Sequence, residues 1–367
     1  MTDTTGTAKA QVTINGRRIG AGEPAYIIAE MSANHGQDFG KAKEIIHAMK
    51  EAGADAVKIQ TYTPDTVTID CDNPYFVDCL RGTIWEGQSL YALYGEAFTP
   101  WEWQPELKAL AESLGMDCFS TPIGEEAVSL LQTMDVPAYK VSSFEIVHLP
   151  LIRMIAATGK PMIISTGMAT KEEIQDALKA AEGAAGVILL KCTSAYPAKI
   201  DDANLRTIPS MAAEFHVPVG LSDHTMGHAV PVAAITQGAC VVEKHFVLSR
   251  EHDKGPDSTF SMEPSEFRAM VDAVRRAEKN IADVKVDERA LGEVRYGTSS
   301  GDKGSTIFRP SIFVVQDMAA GEEFTKENTR IIRPGNGLKP KHFEEVLGKK
   351  AAHAIARGTP VTWECVS

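Results

Sequence analysis

Two triplets near the middle of the chain, Ser222-Asp223-His224 and Glu243-Lys244-His245, each close a short apolar run, Val217 to Leu221 and Val241-Val242. If both runs are neighbouring strands, the two imidazoles meet on one rim. Neutral imidazoles suit Mn²⁺, Co²⁺, Zn²⁺ and similar ions, and a site with only two protein ligands leaves positions for water and a substrate oxygen. The same pattern fits two histidines that are merely hydrogen-bonded in place. Lys58 and Lys140 also end apolar runs, and buried lysines are rare unless they face an anion or form a Schiff base. Together with the hydroxyls of Thr121, Ser143, Ser165 and Ser222 they suit a phosphate and a carboxylate at once. Internal pairing with Glu30, Glu145 or Glu243 is the plainer alternative. Glu30 closes Tyr26 to Ala29 and has the chemistry of a general base or of an ion-pair partner.

These groups share one kind of position, the polar end of an unbroken Val/Ile/Leu run, and eight such runs lie between residues 25 and 245. Continuous apolar runs are the mark of strands buried on both faces. Eight of them alternating with helical stretches predict an α/β fold, a (β/α)₈ TIM barrel with its active site at the strand C-termini. Helical periodicity appears over Lys41 to Ala52, Glu125 to Thr133 and Glu172 to Ala181, with Thr170 and Glu173 at capping-box spacing and Thr99-Pro100 opening a helix from Trp101 to Leu114. The insertion Tyr62 to Phe98, rich in Trp85, Tyr91, Tyr94 and acids, follows a barrel strand and reads as a lid or binding loop. Three segments result: a catalytic barrel over 1–284, a Gly/Ser-rich linker over 285–305, and a small domain of short strands over 306–367. Gly115 and Gly167 read as turn glycines, because no Gly-x-Gly-x-x-Gly follows a strand.

Composition narrows the class. A formal charge of −12 argues against a nucleic-acid or anionic-membrane surface, and 44% hydrophobic with 23% charged residues is ordinary for a globular protein. The first sixteen residues lack the pattern of a secretory signal, and no apolar run suffices to cross a bilayer. The six scattered cysteines read as free thiols in a reducing cytoplasm.

A long ordered set of motifs resembles the sialic acid synthase family. It comprises Ala29-Glu30-x-Ser32-x-Asn34-His35, Lys58-Ile59-Gln60-Thr61, Phe119-Ser120-Thr121-Pro122, Tyr139-Lys140-Val141-Ser142-Ser143-Phe144-Glu145, Ser165-Thr166-Gly167-Met168, Lys191-Cys192-Thr193-Ser194-Ala195-Tyr196-Pro197, Ser222-Asp223-His224-Thr225, Glu243-Lys244-His245-Phe246 and Gly255-Pro256-Asp257. Gly82-Thr83-Ile84-Trp85-Glu86-Gly87, Leu90-Tyr91-x-Leu93-Tyr94 and Thr99-Pro100-Trp101-Glu102-Trp103 are similar to its pseudaminic acid synthase branch. Arg333-Pro334-Gly335-Asn336-Gly337 resembles the C-terminal antifreeze-like (SAF, β-clip) domain of the same enzymes.

The resemblance implies a carbon–carbon bond-forming transferase. It would condense phosphoenolpyruvate (PEP) with the open-chain aldehyde of 2,4-diacetamido-2,4,6-trideoxy-altrose and water, releasing phosphate by C–O cleavage. It further implies a divalent cofactor (Mn²⁺, Co²⁺ or Mg²⁺) on His224 and His245. Lys58, Thr121, Lys140, Ser143, Ser165, Ser194 and Ser222 would hold PEP, and Glu30 would handle water or a proton. Glu145, Tyr196, Glu243, Asp257 and Arg333 would contact the sugar, Arg333 reaching the active site of the partner in a domain-swapped homodimer. The chain departs from the pattern at Ser194, where asparagine is frequent, at Arg309-Pro310-Ser311, and in the charged stretch Ser249 to Lys254. A legionaminic or N-acetylneuraminic acid synthase is the alternative within the class. A 6-deoxy acceptor favours an apolar wall, which Trp85 and the Tyr91 to Trp103 region could supply. Outside the class stand a metal-independent Schiff-base aldolase using Lys140 or Lys191, and a non-catalytic sugar-binding protein.

Overall fold

The computed structural model describes residues 10–83, 85–253 and 255–367. Met1 to Lys9 of the N-terminal stretch, Ile84 of the Gly82 to Gly87 motif and Lys254 of the charged stretch lie outside the described residues.

An antiparallel hairpin of β1 (Gln11–Ile14) and β2 (Arg17–Gly20) turns at Asn15-Gly16, both residues at positive φ as a two-residue hairpin turn requires. It sits at the N-terminal end of the barrel, where Asn15 Nδ2 donates to Asp117 Oδ1 at 2.8 Å. Eight strands then follow: β3 (Tyr26–Glu30), β4 (Ala56–Thr61), β5 (Asp117–Pro122), β6 (Tyr139–Val141), β7 (Met162–Ser165), β8 (Val187–Cys192), β9 (Val219–Asp223) and β10 (Val241–His245). They are all parallel and close into a barrel, β10 pairing with β3 so that His245 lies opposite Glu30. The predicted barrel is therefore present.

The helix Phe39–Glu51 buries Ala42, Ile45, Ile46 and Met49, the stripe its period predicts, and Thr170 and Glu173 form the capping box of Lys171–Ala180. The helix expected from Trp101 instead begins with a 3₁₀ turn, Trp101–Trp103, ahead of Gln104–Ser113. Pro105 explains the break, since it has no N–H to give Trp101 O, which accepts from the Gln104 N–H in a 3₁₀ turn instead.

A small domain follows, built on the antiparallel pair β11 (Ser311–Val314) and β12 (Thr329–Ile332). It rests on the insertion after β4, whose Val67, Phe76, Leu80 and Leu90 form one apolar cluster with Phe308, Phe313 and Ile332. Polar ties flank this cluster. The Arg333 N–H donates to Val67 O at 2.8 Å, and Glu173 accepts from Arg309 at 3.1 Å and Lys339 at 2.8 Å. Arg309, whose context departs from the family pattern, thus clamps the small domain to a barrel helix. The stretch 285–305 is not a free tether. It buries Ala290 and Leu291, and Arg295 N–H donates to Thr207 Oγ1 at 2.9 Å, so it runs as a strap along the helix Thr207–Phe215. All six cysteines are free, and among the described residues no helix is long and apolar enough to cross a membrane.

Candidate active site

The C-terminal ends of the strands enclose a cavity of about 500 Å³. Lys58 and Lys140 enter it from β4 and β6, with Thr121, Ser143, Ser165 and Ser222 around them. Lys140 Nζ donates to Ser165 Oγ at 2.7 Å and lies 3.9 Å from Glu243 Oε1. Lys58 Nζ pairs with Glu30 Oε2, lies 3.8 Å from Glu243 Oε1, and donates to Thr121 Oγ1 at 3.4 Å. The internal pairing left open by the sequence is therefore present, on lysines that still line the cavity.

Burial and charge set the protonation of this group. Burial lowers an ammonium pKa, but Glu243 and Glu30 outweigh it at Lys58 and hold it above the ordinary lysine value. At Lys140 burial wins over Glu243, with Lys58 adding to it, and the pKa falls below the usual value. Burial raises the Glu30 carboxyl above the ordinary carboxylate range against the pull of Lys58. Glu243, between two ammonium groups, is drawn below that range despite burial.

His224 and His245 follow from β9 and β10 with ring centroids 5.4 Å apart. His224 Nδ1 is 2.9 Å from the Thr193 carbonyl, which can only accept, so Nδ1 carries a proton and Nε2 is the nitrogen that has the lone pair when the ring is neutral. Burial lowers the His224 pKa, but Cys192 and the Thr193 carbonyl outweigh it and raise it. His245 Nδ1 is buried with no hydrogen-bond partner among the described residues. Burial first, then His224 and the lysines, keeps His245 neutral, its pKa well below the ordinary imidazole value. No cluster of three or more His, Cys, Asp or Glu suited to a metal is present among the described residues.

The Tyr196 ring packs tilted against His224, centroids 4.4 Å apart, and Asp257 and Arg333 complete the wall. Within the single chain Arg333 covers the mouth of its own barrel, where the apolar cluster beneath β12 seats the small domain. Its Nη2 donates to Glu145 Oε1 at 2.5 Å and its Nη1 to Tyr94 Oη at 3.0 Å, with Phe144 under the guanidinium at 4.8 Å. Glu145, expected against the sugar, stands behind Arg333 and Ser142, and Ser194 stands behind Ser143 at 2.7 Å. Glu30 is fully buried behind Lys58. Three residues given direct contacts thus occupy the layer that supports the cavity wall.

Other residues gain roles the sequence did not mark. Tyr94 was legible only as an aromatic of the insertion, yet it anchors Arg333. Gln60, at the end of β4, donates to Glu30 Oε1 at 3.2 Å and to Ser32 Oγ at 3.0 Å. Gly167 is in a turn, as expected, closed by the Ala169 N–H donating to Thr166 O at 3.1 Å, and it has a second use. A Cβ there would collide with Ser194 Oγ and come within 3.0 Å of Ser143 Cβ, so the wall needs its absence. Gly115, at φ +76°, is the turn glycine expected. The apolar half of the cavity comes from Trp85, Leu93, Ala97, Ile123 and Phe308.

Residues 45–286 match the model of the NeuB family, and 309–367 that of the SAF domain. The chain belongs to the NeuB family. A pseudaminic acid synthase of Helicobacter pylori is 42% identical over 93% of this chain and 97% of its own. An N,N'-diacetyllegionaminic acid synthase of Legionella pneumophila is 34% identical over 94% of this chain and 95% of its own. Among solved structures, the spore coat polysaccharide biosynthesis protein SpsE of Bacillus subtilis superposes with a TM-score of 0.83 at 31% identity, covering 98% of this chain and 99% of that one. That full-length match spans both the NeuB barrel and the SAF domain.

Proposed function

We propose that this NeuB-family chain is a pseudaminic acid synthase, condensing PEP with the open-chain form of 2,4-diacetamido-2,4,6-trideoxy-altrose and water to give pseudaminic acid and phosphate. The observation that carries the branch is the 42% identity to the H. pylori pseudaminic acid synthase over nearly the whole chain, against 34% to the legionaminic acid synthase. The cavity supports the chemistry. Lys58, Lys140, Thr121, Ser143, Ser165 and Ser222 converge at its floor with the donors a phosphate and a carboxylate need. Tyr196, Asp257 and Arg333 stand above them, where an acceptor sugar would meet the bound PEP.

His224 and His245 fit a divalent ion, since the Thr193 bond leaves His224 Nε2 as the ligating nitrogen of the neutral ring and His245 has a buried nitrogen without a partner among the described residues. When bound, such an ion would polarise the acceptor aldehyde oxygen. The lysines and hydroxyls fix PEP so that its C3 faces the aldehyde carbon. The C2=C3 π pair forms the C–C bond, leaving C2 cationic, as the aldehyde C=O π pair moves onto its oxygen, which takes up a proton. Water adds to the cationic C2, its proton passing toward Glu30, and phosphate leaves with the bridging oxygen while Lys58 and Lys140 offset its charge. A small-molecule biosynthetic role in the cytoplasm is part of the same proposal. So is a homodimer, in which exchange of the small domains would reproduce the barrel contacts seen here.

The test is the fate of the bridging oxygen. PEP labelled there with ¹⁸O must yield labelled phosphate and a product free of the label. Label retained in the sugar acid would mean P–O cleavage and would refute the reading.

A further inference from the structure

Ser32 stands between two acidic groups of the cavity without lining it. It lies just past β3 with φ at +48°, the left-handed region that a residue bearing a Cβ seldom occupies. That backbone turns its own N–H back onto Glu30 Oε1 at 2.8 Å. Its hydroxyl accepts from Gln60 Nε2 at 3.0 Å and donates to Asp257 Oδ2. Gln60 also donates to Glu30 Oε1 at 3.2 Å, so Glu30, Gln60, Ser32 and Asp257 form one chain of hydrogen bonds spanning the cavity wall. Strained backbone of this kind survives where the surroundings fix it, and it gathers at functional sites.

A scaffolding role explains this poorly. The loop after β3 is already tied to the loop after β10 by Asn34, whose Nδ2 donates to Phe246 O at 2.8 Å and Ser261 Oγ at 2.9 Å. Ser261 Oγ in turn donates to Asp257 O at 2.6 Å. What Asn34 and Ser261 leave unset is the carboxylate of Asp257, whose direction depends on Ser32.

We infer that Ser32 is a positioning residue, whose hydroxyl aims the Asp257 carboxylate at the acceptor sugar and locks Gln60 against Glu30. The inference rests on the proposed reaction. Without the hydroxyl, Asp257 loses its donor in a half-buried wall and rotates, and Gln60 retains Glu30 alone. The sugar is then held in fewer productive poses, while the PEP floor around Lys58 and Lys140 is untouched.

Glycine separates this from a structural role, because Ser32→Gly removes the hydroxyl and also relieves the left-handed backbone. In the full-length protein, Ser32→Gly should melt no lower than the parent, keep its KM for PEP, and lose roughly tenfold or more in kcat/KM for the sugar. Ser32→Ala, which keeps the strain, should show the same catalytic loss. Calorimetric titration with the sugar alone should show weakened binding in both. Unchanged sugar kinetics in Ser32→Gly, or a loss of activity that tracks a fall in melting temperature, would overturn the inference. Failure of the reaction reading would instead appear in the parent, as no phosphate release with any candidate sugar, and the Ser32 inference would fall with it.

Discussion

Replacing Arg333 by methionine should separate what this residue does for stability from what it does for the substrate. Its guanidinium and the Glu145 carboxylate have side-chain exposures of 8% and 1%, so neither charge is well solvated. Removing one partner of a buried pair leaves the other uncompensated, at a cost of roughly 3–5 kcal/mol. The chain has two domains, so one global unfolding free energy would misstate the effect. Local opening is the better readout. The Arg333 amide is bonded to Val67 O across the seam, and its hydrogen-exchange protection should fall by on the order of a hundred- to a thousand-fold in Arg333→Met. In Arg333→Met/Glu145→Gln no buried charge is left unpaired, so most of that protection should return. Turnover of the sugar should not return, because the guanidinium facing the cavity is still gone. Recovery of activity together with protection would show that Arg333 acts only as a clamp. Unchanged protection in the single variant would refute the energetic argument itself.

Three further outcomes follow from the same geometry. Mixing His224→Ala and Arg333→Ala proteins after unfolding and refolding together should restore part of the activity, since exchange of small domains in the proposed homodimer sets an intact Arg333 over an intact His224; no restoration would show that each barrel uses its own Arg333. Lys140 must be protonated to hold an anion, and its lowered pKa means that kcat/KM for PEP falls as pH rises through a value below the ordinary lysine 10.5; Lys140→Arg should remove that alkaline limb, and a limb unchanged in the variant would assign it elsewhere. Gly167→Ala should raise KM for PEP by about tenfold or more through displacement of Ser143 and Ser194, while a KM within twofold would show that the wall yields.

The barrel was legible because each strand carries the apolar run that double burial demands, and because each polar terminus follows the run by a fixed step. That step brought Lys58, Lys140, His224 and His245 into one cavity. Depth was not legible. Sequence spacing says that Glu30, Glu145 and Ser194 lie near the rim, but whether a side chain lines the cavity or supports it depends on neighbours from other strands. Ser194 is held behind Ser143, and Glu145 behind Arg333. The route of the small domain was also hidden, since it is decided by apolar residues of the insertion such as Phe76 and Leu80, which have no short-range pattern. The strap over 285–305 read as a linker because many of its anchors are backbone bonds, such as Leu205 N–H to Ala290 O and Gly297 N–H to Ala169 O, which leave no side-chain period. Gly167 was legible as a turn glycine, but its close approach to Ser194 and Ser143 was not, because those neighbours come from other strands' ends.

Phosphate release from PEP, measured with the diacetamido-trideoxy altrose, with its legionaminic counterpart and with N-acetylmannosamine, each with and without EDTA and with Mn²⁺ restored, tests the central claim most directly. The account predicts turnover with the altrose sugar, its loss on chelation and its return with the metal. Faster turnover of either other sugar would contradict the assigned acceptor, and turnover that survives chelation would contradict the pairing of His224 with His245 as a metal site.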